Sequence, residues 1–248
     1  MTYAESLHAM FRPPAWVTGG ISTADAEFLL ELVVRETPAI VVEIGVAAGT
    51  SSAALLFALD QLPGAHRVLY SVDVRASCYF DPRYATGAAA RELYPAPRSA
   101  WILHTGADAR RLRHTLQAPV DLFFIDGNHS HPWPLLDALH LAHLAWPEAW
   151  IALHDLALPR LYPQFQTYGP GWLFAAWPGE KIAGTGEAEN IGAVRLPADL
   201  RDLNPMALAL LQRHPWEAQL AAADVELAAV FAPVTEALRP RLSGGRRA

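Results

Sequence analysis

Apolar positions along the chain recur with two different periods, and the places where the period changes mark the elements. Phe28, Leu29, Leu32 and Val33 fall at helical spacing behind Ser22 and Thr23, which predicts a capped helix over 24–36. Short apolar runs follow, at Ile40 to Val42, Val68 to Val72, Ile102 to Leu103, Val120 to Ile125 and Ala149 to Leu153, with helix-length segments between them. That alternation of strand and helix from 40 to 155 predicts an α/β fold, a doubly wound parallel sheet with right-handed crossovers. On either side of it the texture changes. Residues 1–20 hold Pro13, Pro14 and Gly19-Gly20 and read as an irregular leader with about one helical turn. Residues 158–180 are rich in Pro, Gly, Tyr and Trp and read as a long loop with about one helical turn. Ile182–Gly184 and Ile191–Leu196 flank a polar turn and predict an antiparallel hairpin. One or two helices are expected over 204–238, and a frayed tail over 243–248. The chain is thus read as a single domain: leader and cap helix 1–37, core 38–196, helical extension 197–248.

The first strand delivers the most informative stretch, Val-Val-Glu-Ile-Gly-Val-Ala-Ala-Gly from Val41 to Gly49, with Thr50, Ser51 and Ser52 opening a helix. A strand, a glycine turn and a helix N-terminus together present free N–H groups to a polar or anionic ligand. A dinucleotide-binding loop needs three glycines as G-x-G-x-x-G, whereas here position 43 is Glu and position 48 is Ala. A P-loop needs Gly-Lys-Ser/Thr, and no lysine is present here. An acidic residue before Gly-x-x-x-Gly instead resembles the first motif of class I S-adenosylmethionine (SAM) methyltransferases. The resemblance implies a Rossmann-like, mostly parallel seven-stranded sheet whose last strand is reversed. It also implies that Glu43, Gly45, Ala47, Gly49, Thr50 and Ser51 hold the methionine part of S-adenosyl-L-methionine. Asp73 ends the next strand, where doubly wound nucleotide folds hydrogen-bond a ribose diol; a helix cap is the other reading. Asp108, after the third strand, is the candidate for the adenine amine, and could equally cap a helix starting near Arg110.

Composition narrows the partners. The 248 residues are 52% hydrophobic and 18% charged, enough for a sizeable core. A formal net charge of −6 gives no electrostatic reason to expect nucleic acid. Cys78 is the only cysteine, compatible with a reducing cytoplasm. No signal-peptide pattern and no apolar run of membrane-spanning length is visible, so a cytoplasmic protein without a membrane partner is expected.

Reactive side chains gather at the ends of two later strands. Val120 to Ile125 runs into Asp126-Gly127-Asn128-His129-Ser130-His131, and Ala149 to Leu153 into His154-Asp155. Ligands of open parallel sheets bind at the carboxyl ends of the strands, so both turns should face the glycine loop. Ile-Asp-Gly-Asn-His-Ser-His with Leu-His-Asp resembles a SAM-dependent O-methyltransferase subgroup that includes enzymes acting on macrolide sugar hydroxyls. That resemblance implies transfer of a methyl group to a hydroxylated small molecule. Asp126 would serve catalysis and cofactor binding, and His129 would be the general base, with His131 the less favoured choice. Asp126, His154 and Asp155 would hold a divalent metal, Mg²⁺ or Mn²⁺. His154 departs from the all-oxygen set that suits Mg²⁺ and favours imidazole-tolerant ions. Tyr162, Phe165, Tyr168, Trp172, Phe174 and Trp177 are candidates for a substrate wall, a packed lid or a dimer contact. The apolar C-terminal positions Leu208, Leu210, Leu211, Leu220, Leu227, Val230 and Phe231 leave packing on the sheet or a homodimer open. Two other classes stay open: a noncatalytic SAM-fold protein, and a nucleotide-dependent or metal-dependent enzyme of another reaction on the same fold.

Overall fold

The computed structural model describes residues 2–213 apart from positions 65, 117, 163 and 165. Seven strands form one sheet: β1 Ile40–Ile44, β2 Val68–Asp73, β3 Ala100–Thr105, β4 Val120–Ile125, β5 Ala145–His154, β6 Lys181–Ala183 and β7 Ile191–Arg195. Their spatial order is β3-β2-β1-β4-β5-β7-β6. The first five run parallel, and β7 runs antiparallel to β5 and to β6. This is the Rossmann-like methyltransferase arrangement, reversed last strand included. The order reverses at the β1–β4 boundary, which places the ligand crevice of such a sheet between these two strand ends.

Helices α1 Tyr3–Met10, α2 Thr23–Glu36, α3 Thr50–Gln61 and α4 Ala88–Leu93 precede β3, and α5 Trp133–Ala142 joins β4 to β5. Three more follow: α6 Leu158–Leu161, α7 Pro170–Ala176 and α8 Asn204–Leu211. Strand residues alternate between two cores. Val42, Phe123 and Ile125 pack with Leu135 and Leu139 of α5, whereas Val41, Leu122 and Phe124 pack with Leu29 of α2 and Leu55 and Leu56 of α3. Burial on both faces explains why these strands read as unbroken apolar runs.

Two flanking segments are more regular than expected. The leader holds α1, two turns of helix rather than one, because Thr2 and Glu5 close a capping box: Thr2 Oγ1 accepts the Glu5 N–H at 3.2 Å and Glu5 Oε2 accepts that of Thr2 at 2.7 Å. The segment 158–180 contains α6 and α7, each with a proline in its first turn, where no intrahelical N–H is lost. The hairpin forms as β6–β7. Of the C-terminal positions singled out, Leu220, Leu227, Val230 and Phe231 lie outside the described residues, as does the 243–248 tail. Leu210 and Leu211 of α8 are buried against the α5 side of the sheet. Among the described residues no helix is long and apolar enough to cross a membrane.

Candidate active site

The ends of β1, β2, β4 and β5 open into one cavity of about 1310 Å³. That exceeds the range of a single drug-sized ligand site, roughly 300–1,000 Å³. Gly45, Ala47, Thr50, Ser51, Asp73, Asp108, Asp126, His129, His154 and Asp155 all line it, as do Thr18 and Gly20 of the leader. The glycine loop is shaped by close approach. Gly45 has φ +87°, and a Cβ there would lie 2.1 Å from the Asp126 backbone oxygen. Only glycine lets β1 and β4 end side by side in this way. Ala47 also takes a left-handed conformation, φ +46°. Asp73 Oδ2 holds the loop by accepting the N–H groups of Val46 at 3.0 Å and Ala47 at 2.9 Å, while Oδ1 accepts the Arg75 N–H at 2.8 Å. A carboxylate has lone pairs beyond these three bonds, so Asp73 keeps acceptor capacity toward the cavity.

Two of the expected contact residues do other work. Glu43 is wholly buried and does not reach the cavity. Its Oε1 accepts from Ser51 Oγ at 2.5 Å, and its Oε2 accepts from Ser52 Oγ at 2.6 Å and Ser71 Oγ at 2.5 Å. It therefore ties the start of α3 to β2, because the strand's period of two puts position 43 on the same face as Val41, the face that α3 covers. Burial pushes its carboxyl up to about 7, against the opposing pull of the three serine hydroxyls. Gly49 likewise points away from the cavity. It caps α3 at φ +89°, where a Cβ would lie 2.9 Å from Gly87 Cα, so it serves the α3–α4 contact.

At the adenine-candidate end, Asp108 caps the 3₁₀ turn Ala109–His114: its Oδ1 accepts the Arg110 N–H at 3.0 Å and its Oδ2 the Arg110 Nε–H at 2.9 Å. The capping reading of Asp108 is thus realised, on a residue that also lines the cavity. Asp137 on α5 faces the same space, with its carboxyl pushed up to about 7 by burial and by the charge of Asp108.

The densest chemistry lies between β4 and β5. His129 Nε2 stands 3.0 Å from Asp126 Oδ1 and 3.1 Å from Asp155 Oδ2. His154 Nδ1 stands 3.0 Å from the same Asp126 Oδ1 and 3.4 Å from Asp155 Oδ1. Burial alone would lower the pKa of both rings, but the charge of and hydrogen bond to Asp126 raise both, His154 well above its ordinary value. For Asp126 burial is outweighed by the charges of His154 and His129, which hold the carboxyl down. Asp155 adopts φ +61°, an uncommon conformation for a non-glycine residue. Asn190, just before β7, donates from Nδ2 to Asp155 Oδ1 at 2.8 Å.

One donor atom from each of Asp126, His154 and Asp155 lies within 4.8 Å of the other two. Two carboxylate oxygens facing one ring nitrogen require a positive charge among them, a proton or a metal ion. The set accommodates a small divalent ion, and its imidazole suits Mn²⁺, Fe²⁺ or Zn²⁺ better than Mg²⁺.

His131 is not part of this cluster. It is buried with its ring edge-on to Trp172, 5.2 Å between centroids, and does not line the cavity. The aromatic candidates divide as well. Tyr162 and Tyr168 line the cavity, and Tyr168 stacks on His129 at 5.4 Å. Trp172, Phe174 and Trp177 pack into the core, the last donating Nε1–H to the Arg195 carbonyl at 2.9 Å; Phe165 lies outside the described residues. Asp25, Asn190, Tyr79 and Asp137 reach the cavity without having been singled out by sequence. Only Asp25 had a local signal, its place three residues after Ser22 in a capping box, and that signal speaks of helix start rather than chemistry.

Comparison with known proteins fits this geometry. Residues 42–156 match the family model described as a methyltransferase domain. No protein of curated function matches the chain by sequence. Among solved structures, an O-methyltransferase from Bacillus cereus in complex with SAH superposes with a TM-score of 0.53 at 18% identity, over 78% of this chain and 90% of that one. An O-methyltransferase from Streptomyces achromogenes, involved in tomaymycin synthesis and solved with SAM, gives 0.51 at 21% identity, over 77% and 87%. At these identities the likeness is one of fold.

Proposed function

We propose that the chain is a SAM-dependent O-methyltransferase acting on a hydroxyl of a small molecule, a reading supported by the match of residues 42–156 to the methyltransferase-domain model. The observation that carries this reading is the placement of His129, between Asp126 and Asp155, at the same cavity edge as the glycine loop. Bound SAM supplies an electrophilic methyl: the acceptor oxygen takes it while the C–S bond breaks, leaving SAH.

The chain's residues bind, orient and deprotonate. Gly45, Ala47, Thr50 and Ser51 hold the methionine end, Asp73 meets the ribose hydroxyls, and Asp108 with Asp137 borders the adenine. His129 takes the acceptor's proton at Nδ1 as the new C–O bond forms, because its Nε2–H is held by Asp126 and Asp155, which also stabilise the imidazolium that results. Tyr168 stacked on the ring keeps it aimed into the cavity. A divalent ion held by Asp126, His154 and Asp155 would lower the hydroxyl's pKa and fix its oxygen, favouring Mn²⁺ over Mg²⁺. Positioning of two reactants in one closed space is worth several kcal/mol, about 7–11 in the best intramolecular cases.

The test is SAH release from SAM against a panel of phenolic and sugar hydroxyl acceptors, with and without Mn²⁺. Acceptor-dependent SAH formation is expected, falling about 10²–10⁴-fold in His129→Ala. SAM binding without turnover, indifferent to His129 and Asp126, would instead mark a noncatalytic SAM-fold protein.

A further inference from the structure

Helix α2 precedes the first strand, yet it sends one carboxylate through to the end of β5. Asp25 Oδ2 lies 3.3 Å from His154 Nε2, and the two side chains are 4% and 8% exposed. The opposite ring nitrogen, Nδ1, faces Asp126 and Asp155. An imidazole whose Nε2–H is held by one carboxylate can offer Nδ1 to a metal ion, the ion taking the place of the proton that otherwise faces Asp126 and Asp155. Building on the metal centre proposed above, we propose that Asp25 is its positioning residue. It accepts the Nε2–H of His154 and thereby presents Nδ1 to the ion shared with Asp126 and Asp155.

The alternative role of Asp25 is a helix cap, and the cap does not account for its surroundings. Its Oδ2 accepts the Ser22 N–H at 2.9 Å and the Ser22 hydroxyl at 2.7 Å. The same capping box on α1 is built by Thr2 and Glu5 with both of its bonds exposed to solvent. Capping therefore needs no burial, whereas Asp25 is 3% exposed. Its second oxygen, Oδ1, is moreover buried without a hydrogen-bond partner among the described residues. A half-satisfied buried carboxylate is costly. That cost is understandable where the carboxylate's task is to hold a ligand ring in one orientation.

The test is titration of the metal-stripped, full-length protein with Mn²⁺ by calorimetry and with Co²⁺ by its visible spectrum. Wild type is compared with Asp25→Ala, Asp25→Asn and Ser22→Ala. Asp25→Ala should weaken binding about 10–100-fold and change the Co²⁺ spectrum. Asp25→Asn, whose amide oxygen can still accept Nε2–H, should recover most of the affinity. Ser22→Ala should lower the melting temperature and leave metal affinity as in wild type. Should Asp25→Ala not fold, Asp25→Ser, too short to reach Nε2, gives the same reading. Wild-type affinity in Asp25→Ala, or an equal loss in Ser22→Ala, would overturn the proposal while leaving the metal centre standing. Failure of the wild type to bind either ion would overturn both.

Discussion

Two carboxylates stand at the ends of adjacent parallel strands, Glu43 on β1 and Asp126 just beyond β4, and their fates are opposite. Glu43 is met by three neutral hydroxyls in a closed interior, and burial drives its pKa up to about 7. Asp126 is met by two imidazoles at a cavity wall, and their charge drives its pKa down. Burial penalises both; the donors decide the sign. Glu43 is thereby a structural knot, whereas Asp126 stays ionised and available to bind a cation or steady an imidazolium. A carboxylate at a strand end is thus not a functional group by position alone.

That contrast can be broken from either side. The largest effect is expected from Asp126→Ala, which removes the group shared by His129 and His154. Methyl transfer should fall about 10²–10⁴-fold, the usual worth of a positioned acid–base pair, in a SAH-release assay. Next is Glu43→Ala, which strands the hydroxyls of Ser51, Ser52 and Ser71 in the core. It should cost about 2–4 kcal/mol in urea unfolding, and any methyl-transfer defect should track the unfolded fraction.

A subtler variant is Glu43→Gln. Because the carboxyl of Glu43 titrates at about 7 in the folded protein against 4.5 as its reference, the native state holds the extra proton between these values. Wild-type stability should therefore fall as pH rises from about 4.5 to about 7, by roughly 1–3 kcal/mol from this group. Glu43→Gln should lack that component when urea midpoints are compared across the interval. The smallest effect belongs to Ser71→Ala, which removes one donor to Glu43 and the acceptor of the Trp101 indole N–H at 2.9 Å. About 1 kcal/mol is expected.

Much of the sheet was legible because its strands are buried on both faces. Val68–Asp73 and Val120–Ile125 coincide with β2 and β4 to the residue. The polar residues ending these strands were legible for the same reason: Asp126, His154 and Asp155 interrupt runs of apolar side chains and do converge. What escaped arrives from elsewhere in the chain. Asp25 reaches His154 from α2 across 129 positions, and Asn190 reaches Asp155 from the turn before β7 across 35. Neither pairing leaves a local period or spacing. The glycine-loop motif makes Glu43 an expected ligand contact, but Glu43 shares the face of β1 that α3 covers and is buried there. Ser51, Ser52 and Ser71 were the available hint that its carboxylate would be satisfied internally. Helix α1 is spelled only by the Thr2–Glu5 capping box, whereas Pro13 and Pro14 just beyond it give the leader its irregular pattern.

The most direct test of the account is calorimetric titration of the metal-stripped chain with SAM and with SAH, with NAD as the competitor. The account predicts saturable one-site binding of both sulfur compounds, retained in His129→Ala, and no heat from NAD. Absence of binding by SAM and SAH together with binding of NAD would contradict it.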